Sequence, residues 1–578
     1  MPKIIIDGKE IEFNPGQTVI QAARENGIEI PHFCWHPSLS VSGNCRLCLI
    51  EIEKMPKLVI ACSTLASDGM VVRTQSEKTV AARNAVMEFL LINHPLDCPI
   101  CDEAGECKLQ DYTYQFSVGE SRFTEEKTHK EKRVELGPNV MFDGDRCISC
   151  SRCVRFCDEI AGKKELTFIK RGDRVTITTF PGKKLENPYS MNVVDICPVG
   201  ALTSKDFRFK SRVWEMAPTK TICSGCARGC NIDLWTRNNE ILRLTPRFNN
   251  DVNSYWMCDN GRLNTFKHVN ATDRVNGPHL RKDGQLIKVG WDEAYAKTLS
   301  ELKSFAKDEI AVLASASLTV EDSYLLSKFV RSTLNVKNFD FVNKVIPGSG
   351  DAILIREDKA ANAKGVELMG VESGKSATGG GLKFNEIISH IESGRFKALV
   401  LIEDDLISWN TSFEKTLAKL DFLVTFSTNF DATTSFANVV FPASTYAEKN
   451  GTWINFQGRI QRIRPAVTTI DMERSLDGLS LSRWDKFGTE FDSWGKGKKI
   501  EARPTWKIIS GLANAFGIKY KFSMAEEIFN EIAHTNPLFT GLDYDVIGES
   551  GVQLKTETIQ KLVSERSRPD SYRDSGKI

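Results

Sequence analysis

The chain has 578 residues, 41% of them apolar and 26% charged, with a net charge of +1. This length predicts roughly four domains of about 150 residues, and the composition is that of an ordinary soluble globular protein. A near-zero charge argues against nucleic acid or an anionic membrane surface as the main partner. The sequence has no apolar run of about 18 residues and no signal-peptide core, so we expect a cytoplasmic protein that reaches a membrane only through partners.

The cysteines are the most informative residues of the chain. There are sixteen, and all of them lie between Cys34 and Cys258. A disulfide framework is typical of short secreted domains, whereas this chain is long and carries no secretion signal. Clustered cysteines in a reducing compartment indicate metal sites.

The first group of cysteines follows a predicted hairpin, "KIIIDGKEIEF", with Asp-Gly at its turn, and a short amphipathic helix in "GQTVIQAARENGI". This order resembles a [2Fe–2S] ferredoxin domain, and the spacing C-x10-C-x2-C-x13-C is a poor one for a zinc finger. Gly43 should supply an unusual backbone conformation beside Cys45. We expect His32 and His36 to be polar residues near the loop surface, because four thiolates already complete the cluster. The predicted [2Fe–2S] ligands are Cys34, Cys45, Cys48 and Cys62.

The second group lies in "HPLDCPICDEAGEC" and has the spacing H-x3-C-x2-C-x5-C. Taken alone, three cysteines and one histidine fit zinc as well as iron. The neighbouring groups are of the iron–sulfur type and favour a [4Fe–4S] cluster. A neutral histidine ligand would make that cluster less negative and alter its potential. The predicted ligands are His94, Cys98, Cys101 and Cys107.

The third group combines the run "RCISCSRCVRFC" with the Cys-Pro of "DICPVGAL". In two-cluster ferredoxins the fourth cysteine of such a run binds the other cluster. That other cluster would need cysteines where this chain has Pro188, Met191 and Val194. Cys157 is therefore predicted to be a small buried residue without a cluster. The predicted [4Fe–4S] ligands are Cys147, Cys150, Cys153 and Cys197.

The fourth group has the spacing C-x2-C-x3-C-x27-C, with a predicted hairpin in "NIDLWTRNNEILRLTP" that turns at "RNNE". A zinc ribbon would more often pair two C-x2-C knuckles, and here the last cysteine stands alone. This pattern favours a third [4Fe–4S] cluster. Its predicted ligands are Cys223, Cys226, Cys230 and Cys258.

The order of these groups closely resembles the G-subunit family of NADH-quinone oxidoreductase, the large iron–sulfur subunit of bacterial complex I. The resemblance covers residues 1 to about 270 and includes "HPLDCPICDEAGECKLQD", "RCISCSRCVRFCDEIAG" and "ICSGCARGCNI". It implies an oxidoreductase subunit without catalytic side chains, which passes electrons from the flavin of an NADH-oxidising partner, through quinone-proximal iron–sulfur subunits, towards quinone. It also implies a peripheral position on the cytoplasmic side of a bacterial inner membrane. The clusters at Cys34, Cys147 and His94 would lie on the main path, and that at Cys223 towards the next domain.

Beyond residue 272, apolar runs alternate with amphipathic stretches, as in "WDEAYAKTLSELKSF", "EIAVLASAS" and "KALVLIEDD". This rhythm predicts an α/β domain with a parallel sheet. The stretch "YAEKNGTWINFQGRIQ" resembles the E-x-x-G-T-x-x-N-x-x-G-R pattern of molybdopterin oxidoreductases. The sequence contains no cysteine after Cys258 that could hold molybdenum, so we do not expect molybdopterin. The family resemblance also implies that this domain is trimmed at its C-terminal end.

The predicted fold is therefore multidomain, α+β followed by α/β. Its parts are a [2Fe–2S] ferredoxin-like β-grasp domain (1–78), a [4Fe–4S] domain with one histidine and three cysteine ligands (79–118), a ferredoxin-like [4Fe–4S] domain (138–215), a molybdopterin-oxidoreductase-type [4Fe–4S] domain (216–272), a degenerate molybdopterin-oxidoreductase-like domain (273–545) and a tail (546–578).

Three rival functions stay open at this point. The catalytic subunit of an NAD-linked formate dehydrogenase shares this layout but needs a Cys or selenocysteine well beyond Cys258. An iron-only hydrogenase needs further cysteines, and a zinc-holding scaffold would contain no sulfide. The stretch "GVESGKS" lacks the G-x4-G-K-[ST] spacing of a phosphate-binding loop, so we expect a flexible Gly-rich loop there. The tail should begin as a short helix and end disordered.

Overall fold

The computed structural model describes residues 1–117, 119–371, 382–477 and 497–555. The chain divides into two compact units, Met1–Glu215 and Met216–Ile578. Most of the Gly-rich loop, from residue 372 to 381, and the tail from residue 556 lie outside the described residues. The expectations for these two segments, and the finer domain boundaries, stay predictions.

The first unit begins with a five-stranded sheet in the order β2-β1-β5-β3-β4. Strands β1 and β2 are antiparallel around Asp7 and Gly8, whose φ angles of 50° and 83° are those of a tight hairpin turn. The predicted hairpin and the helix after it are both confirmed. Its elements are β1 (Lys3–Ile6), β2 (Lys9–Glu12), α1 (Val19–Glu25), β3 (Leu49–Ile52), β4 (Val59–Ile60), β5 (Val71–Arg73) and α2 (Glu77–Ile92).

The rest of the first unit consists mainly of loops between short elements. Two small sheets have the orders β10-β7-β6 and β8-β9. Helix α4 continues into one wider turn, Phe156–Ile160, that contains Cys157. The elements are α3 (Lys108–Phe116), β6 (Val134–Glu135), β7 (Val140–Phe142), α4 (Arg152–Arg155), β8 (Leu166–Ile169), β9 (Thr176–Thr179), α5 (Asn192–Asp195) and β10 (Leu202–Ser204).

The second unit begins with an antiparallel sheet of three strands in sequence order. Asn238 and Asn239 join the second and third strands with φ angles of 52° and 62°. Asparagine tolerates this left-handed conformation better than most residues, which is why "RNNE" turns here as predicted. The elements are β11 (Ala217–Ile222), β12 (Asn231–Arg237), β13 (Glu240–Pro246), α6 (Asp259–Asn264) and α7 (Lys267–Asn270).

A seven-stranded sheet in the order β15-β14-β20-β19-β18-β16-β17 follows. The five strands from β20 to β17 run parallel to one another, which confirms the predicted α/β domain, while β14 pairs with β20 in the antiparallel direction. Every residue of β16, β18 and β19 is buried, because helices cover both faces of such a sheet. Its strands and the helices between them are β14 (His279–Lys282), β15 (Gln285–Lys288), α8 (Trp291–Ser304), β16 (Ile310–Ser315), α9 (Val320–Phe329), β17 (Phe339–Val342), α10 (Ala363–Leu368), α11 (Phe384–Glu392), β18 (Ala398–Ile402), α12 (Leu406–Trp409), α13 (Phe413–Leu417), β19 (Phe422–Ser427) and β20 (Val439–Pro442).

A third sheet of the second unit, in the order β21-β22-β23, accompanies the remaining helices. Among the described residues, no helix is both long enough and apolar enough to span a bilayer. The last elements are β21 (Gly451–Ile454), β22 (Arg459–Ile463), α14 (Ile470–Asp477), α15 (Thr505–Ala515), α16 (Ala525–Thr535), α17 (Tyr544–Ile547) and β23 (Val552–Gln553).

Candidate iron–sulfur sites

The first ligand set lies on the loop between α1 and β3 and at the end of β4. Hydrogen bonding between two thiols lowers the pKa of Cys34 and raises that of Cys45, and Cys62 and Cys48 form a second pair of the same kind. The thiols of Cys34 and Cys45 therefore lie close together, and so do those of Cys48 and Cys62. Gly43 has a φ of 65°, which confirms the unusual backbone conformation predicted beside Cys45.

The two histidines beside Cys34 make contacts with the backbone of their own loop. His32 Nδ1 lies 2.7 Å from the carbonyl oxygen of Ile30, and His36 Nδ1 accepts a hydrogen bond from the N–H of Ser38 at 3.2 Å. Burial lowers the pKa of His32 to about 4 and that of His36 to about 3. Both rings are therefore neutral near pH 7, and that they are not ligands stays a prediction.

The third set lines one cavity. The N–H of Ser149 donates to Cys147 Sγ at 3.4 Å, and Cys197 Sγ donates to the carbonyl oxygen of Val199 at 2.9 Å. Burial raises the pKa of Cys147 to about 11. The lining thiols are those of Cys147, Cys150, Cys153 and Cys197.

Cys157 is fully buried but is not among the residues that line this cavity. Burial, with a smaller effect of Glu165, raises the pKa of its thiol to about 12. A protonated thiol in an apolar setting behaves as a small hydrophobic side chain. This position agrees with the orphan role predicted for Cys157, which stays a prediction.

The members of the second set differ in environment. Cys101 and Cys107 are buried, Cys98 is exposed, and His94 is half-buried just after α2. Burial is the main cause that lowers the pKa of His94 to about 4, so its ring is neutral, as a metal ligand must be. A Cβ atom on Gly200 would lie 2.2 Å from Cys101 Sγ. The second set thus lies against the segment that follows Cys197, and ligation by all four residues stays a prediction.

The fourth set lines a separate cavity in the second unit. Backbone N–H groups donate to two of its sulfurs, from Gly225 to Cys223 at 3.4 Å and from Gly261 to Cys258 at 3.3 Å. Such donors stabilise negative charge on a cluster and are one of the ways a protein sets its potential. The lining thiols are Cys223, Cys226, Cys230 and Cys258.

The cysteine-rich donor sets fit iron–sulfur clusters, which proteins hold mainly by thiolates. Within the described ranges, no three His, Cys, Asp or Glu side chains form a group suited to one metal ion. The third and fourth sets each surround a cavity lined by four thiols, and four thiolates are the usual ligands of a [4Fe–4S] cluster. Their buried thiols have raised pKa values, and bound metal would deprotonate them.

Sequence reasoning missed two arginines inside the third cysteine run. Arg155 Nη2 donates to the carbonyl oxygen of Cys34 at 2.5 Å, and Arg152 Nη2 donates to that of Trp35 at 2.6 Å. Their place between the cysteines was visible in "RCVRFC". Their partners were not, because they lie more than a hundred residues away in the chain.

Comparison with known proteins gives the same order of domains. The matching families are the 2Fe-2S iron-sulfur cluster binding domain (3–77), the NADH-ubiquinone oxidoreductase-G iron-sulfur binding region (83–122), the ferredoxin-like domain of NADH-quinone oxidoreductase subunit 3 (137–203), the molybdopterin oxidoreductase Fe4S4 domain (216–270) and molybdopterin oxidoreductase (274–375 and 356–476).

Curated relatives are 40% to 42% identical to this chain over 328 to 345 aligned residues. The NADH-quinone oxidoreductase G subunit of Rickettsia bellii is 41% identical over 345 residues, 59% of this chain and 50% of the relative. The corresponding G subunit of Streptomyces coelicolor is 40% identical over 345 residues, 59% of this chain and 41% of the relative. The NADH-ubiquinone oxidoreductase 75 kDa subunit of Reclinomonas americana is 42% identical over 328 residues, 57% of this chain and 47% of the relative. The chain spans about half the length of the relatives it matches.

A solved structure of NAD+-reducing [NiFe]-hydrogenase in the H2-reduced state is 31% identical, covering 37% of this chain and 91% of that chain. Its TM-score of 0.34 is too low to carry an argument. The family matches and the curated relatives confirm the resemblance to the G subunit of NADH-quinone oxidoreductase and the predicted fold classes. They also confirm that the chain contains 2Fe-2S and 4Fe-4S binding domains.

Proposed function

We propose, from this relationship to the G subunit of NADH-quinone oxidoreductase, that the chain is an electron-transfer subunit of such an enzyme. It receives electrons that a flavin-bearing partner takes from NADH and passes them towards quinone. The observation that carries this proposal is the close succession of three ligand sets within the first unit. A chain of neighbouring redox groups suits single-electron transfer, whereas a structural metal site needs no such neighbour.

The proposal assigns four clusters, which when bound supply the one-electron chemistry. The polypeptide supplies ligands, fixed spacing and shielding from water. The [2Fe–2S] ligands are Cys34, Cys45, Cys48 and Cys62. The ligands of the three [4Fe–4S] clusters are His94, Cys98, Cys101 and Cys107, then Cys147, Cys150, Cys153 and Cys197, then Cys223, Cys226, Cys230 and Cys258.

The contacts between the sets favour the order first, third, second. Asn44 Nδ2 in the first loop donates to the carbonyl oxygen of Ser149 in the third run at 3.0 Å. On the other side, Cys107 Sγ lies 4.0 Å from the carbonyl oxygen of Pro198. Because the third set has neighbours on both sides, we infer that its residues hold the middle position of the path.

The fourth set lies in the other unit, and we propose that its cluster is off this path. We also propose that the sheet domain works without molybdopterin, since the sequence has no cysteine after Cys258 to bind molybdenum. Its similarity to molybdopterin oxidoreductases makes a formate dehydrogenase subunit the rival function. Molybdenum analysis and an assay for formate-dependent reduction separate the two.

We propose as partners the flavin-bearing NADH-oxidising subunit and the quinone-proximal iron–sulfur subunits. Through them the chain would sit on the cytoplasmic side of a bacterial inner membrane. The relatives' names support a complex of several subunits, because they designate a lettered or sized subunit of an NADH-quinone oxidoreductase.

The test is metal and sulfide analysis of the anaerobically purified complex, together with EPR after reduction with NADH. We expect iron with acid-labile sulfide, one [2Fe–2S] signal and signals from [4Fe–4S] centres. Zinc with negligible sulfide would identify a scaffold instead. Iron–sulfur signals that respond to formate and accompany molybdenum would establish the rival function.

A further inference from the structure

One guanidinium group joins the first and third ligand sets. Arg152 Nη2 donates to the carbonyl oxygen of Trp35 at 2.6 Å, and Nη1 donates to that of Ile196 at 3.2 Å. Trp35 directly follows the ligand Cys34, and Ile196 directly precedes the ligand Cys197. The same side chain thus bonds the peptide next to a ligand in each set.

The third nitrogen of Arg152 has no such partner. Its Nε is shielded from solvent and, in the part of the chain that the structure describes, makes no hydrogen bond. Leaving a buried donor without a partner is unfavourable, and more so for a charged group. The side chain of Arg152 also lines the cavity formed by the third set. A sulfur atom held in that cavity is therefore a natural acceptor for this N–H.

The charge of Arg152 acts on both sets as well. Its guanidinium bonds the peptides directly beside Cys34 and Cys197, so its positive charge lies close to both sets. In surroundings of low polarity a positive charge favours the reduced, more negative form of a neighbouring redox group.

We propose that Arg152 is a positioning residue that tunes the two clusters together: its Nε–H donates to a sulfur of the third cluster, and its charge raises the reduction potential of both. This inference rests on the proposed electron-transfer function. Its two hydrogen bonds would also hold the two ligand loops at a fixed separation. One side chain would then set both the driving force for electron transfer between the two clusters and the distance between them.

Arg155 provides a matched comparison three residues further on. Its Nη2 donates to the carbonyl oxygen of Cys34, its Nη1 to that of Ser40, and its Nε to Ser151 Oγ at 3.1 Å. All three nitrogens of Arg155 therefore have partners within the chain. Unlike Arg152, Arg155 makes no hydrogen bond to the backbone beside Cys197 among these partners. Arg155→Met removes the same charge from the same helix without removing a donor that lines the cavity of the third set.

The experiment is a redox titration of the intact complex, followed by EPR, for wild type, R152M, R155M and R122M. Arg122 is exposed and paired with Glu88, so its variant controls for loss of charge alone. In R152M we expect the reduced-to-oxidised ratio of both clusters, at a fixed ambient potential, to fall about tenfold, which is 59 mV for a one-electron couple. R155M should move mainly the [2Fe–2S] cluster, and R122M neither.

A second readout tests the hydrogen bond itself. In the reduced third cluster, electron spin echo modulation should show a nitrogen coupling that changes on labelling arginine with 15N and disappears in R152K. R152K keeps the charge, so both ratios should lie between those of wild type and R152M. If R152M does not retain both clusters, R152K replaces it in the test. R152K should lose the nitrogen coupling and still lower the reduced-to-oxidised ratios of both clusters.

The role of Arg152 is overturned if the wild-type clusters give normal signals but R152M, or R152K in its place, leaves the reduced-to-oxidised ratios of both clusters unchanged. The proposed function would then still stand. Equal shifts in R152M and R122M would also overturn the role of Arg152 and leave the proposed function standing. A wild-type complex without iron–sulfur signals would instead remove the proposed function itself, so the two failures are distinguishable.

Discussion

In residues 138–215 the strands have only three or four residues, whereas the central strands β16, β18 and β19 of the sheet domain have five or six and are buried throughout. The sheet domain has a continuous apolar core that joins these strands to the helices around them. Around the third set, loops turn about four thiols and a cavity. From this difference we predict that the loops around the third set depend on bound inorganic groups for their order, while the sheet domain carries its own core.

Removing iron should destabilise the ligand loops of the first unit and leave the sheet domain unchanged. On treating the full chain anaerobically with an iron chelator, we expect hydrogen exchange in the loops 31–62, 144–157 and 196–201 to accelerate at least about tenfold, because metal-binding free energy is also folding free energy. Exchange in the strands Ile310–Ser315 and Phe422–Ser427 should change less than about twofold.

Adding iron and sulfide back is the control for that experiment and should restore the slow exchange of the loops. The comparison fails if the loops keep their protection without iron. It also fails if the strands of the sheet lose theirs, since the sheet would then depend on the clusters too.

Two neighbouring cysteines of the first region should differ in their effect on iron content. Cys153→Ala removes a thiol that lines the cavity of the third set. We expect this variant to lose about four irons per chain together with one EPR signal. Cys157→Ala removes a buried thiol outside that lining and should keep all the iron, with a stability cost of about 1 kcal/mol. Iron analysis of both variants checks the pair, and equal iron contents would contradict the assignment.

The sequence predicted what local chemistry determines. The turns at Asp7-Gly8 and Asn238-Asn239 follow from residues that tolerate positive φ, and the alternation of apolar runs was enough to predict the parallel sheet. The neighbours of the ligand sets were not predictable, because they depend on contacts between distant segments. Gly200 meets Cys101 across about a hundred residues, and no local pattern announces such a contact.

The E-x-x-G-T stretch shows the same limit, since its resemblance was visible and its role was not. Glu448 forms a bidentate ion pair with Arg274, with N–O distances of 2.9 and 2.7 Å. A Cβ on Gly451 would lie 2.7 Å from Thr319 and 2.9 Å from Glu321. These residues hold the sheet domain together by contacts that a pattern alone does not reveal.

Breaking that ion pair should destabilise the sheet domain alone. Both side chains are about 2% exposed or less, so Glu448→Ala leaves an uncompensated buried charge and should cost about 3–5 kcal/mol. Hydrogen exchange of the sheet strands measures this loss. The double variant R274M/E448M should recover most of it, because an apolar pair of similar volume replaces the ions. An iron content below that of wild type would contradict the independence of the two regions.

A smaller effect should separate the two regions by the sign of their response to pH. Glu321 is fully buried and accepts hydrogen bonds from the N–H and Oγ1 of Thr452, each at 2.9 Å, and from the hydroxyl of Tyr544 at 3.0 Å. Burial nevertheless raises the pKa of Glu321 to about 7. The protonated form is thus favoured in the folded state, and the stability that it contributes is lost as pH rises from the ordinary pKa through about 7.

Hydrogen exchange of the sheet strands should show this loss, up to about 3 kcal/mol between about pH 5 and about pH 8 after correction for the intrinsic rate. E321Q should reduce the dependence, and what remains reflects Asp404 and Asp431, whose pKa values burial raises to about 6. E293Q, at an exposed position on α8, should keep the full dependence. The loops of the first region should respond in the opposite direction, since thiol and imidazole ligands bind metal better as they lose protons. Parallel slopes in the two regions would mean that the sheet domain, too, takes its stability from the metal sites.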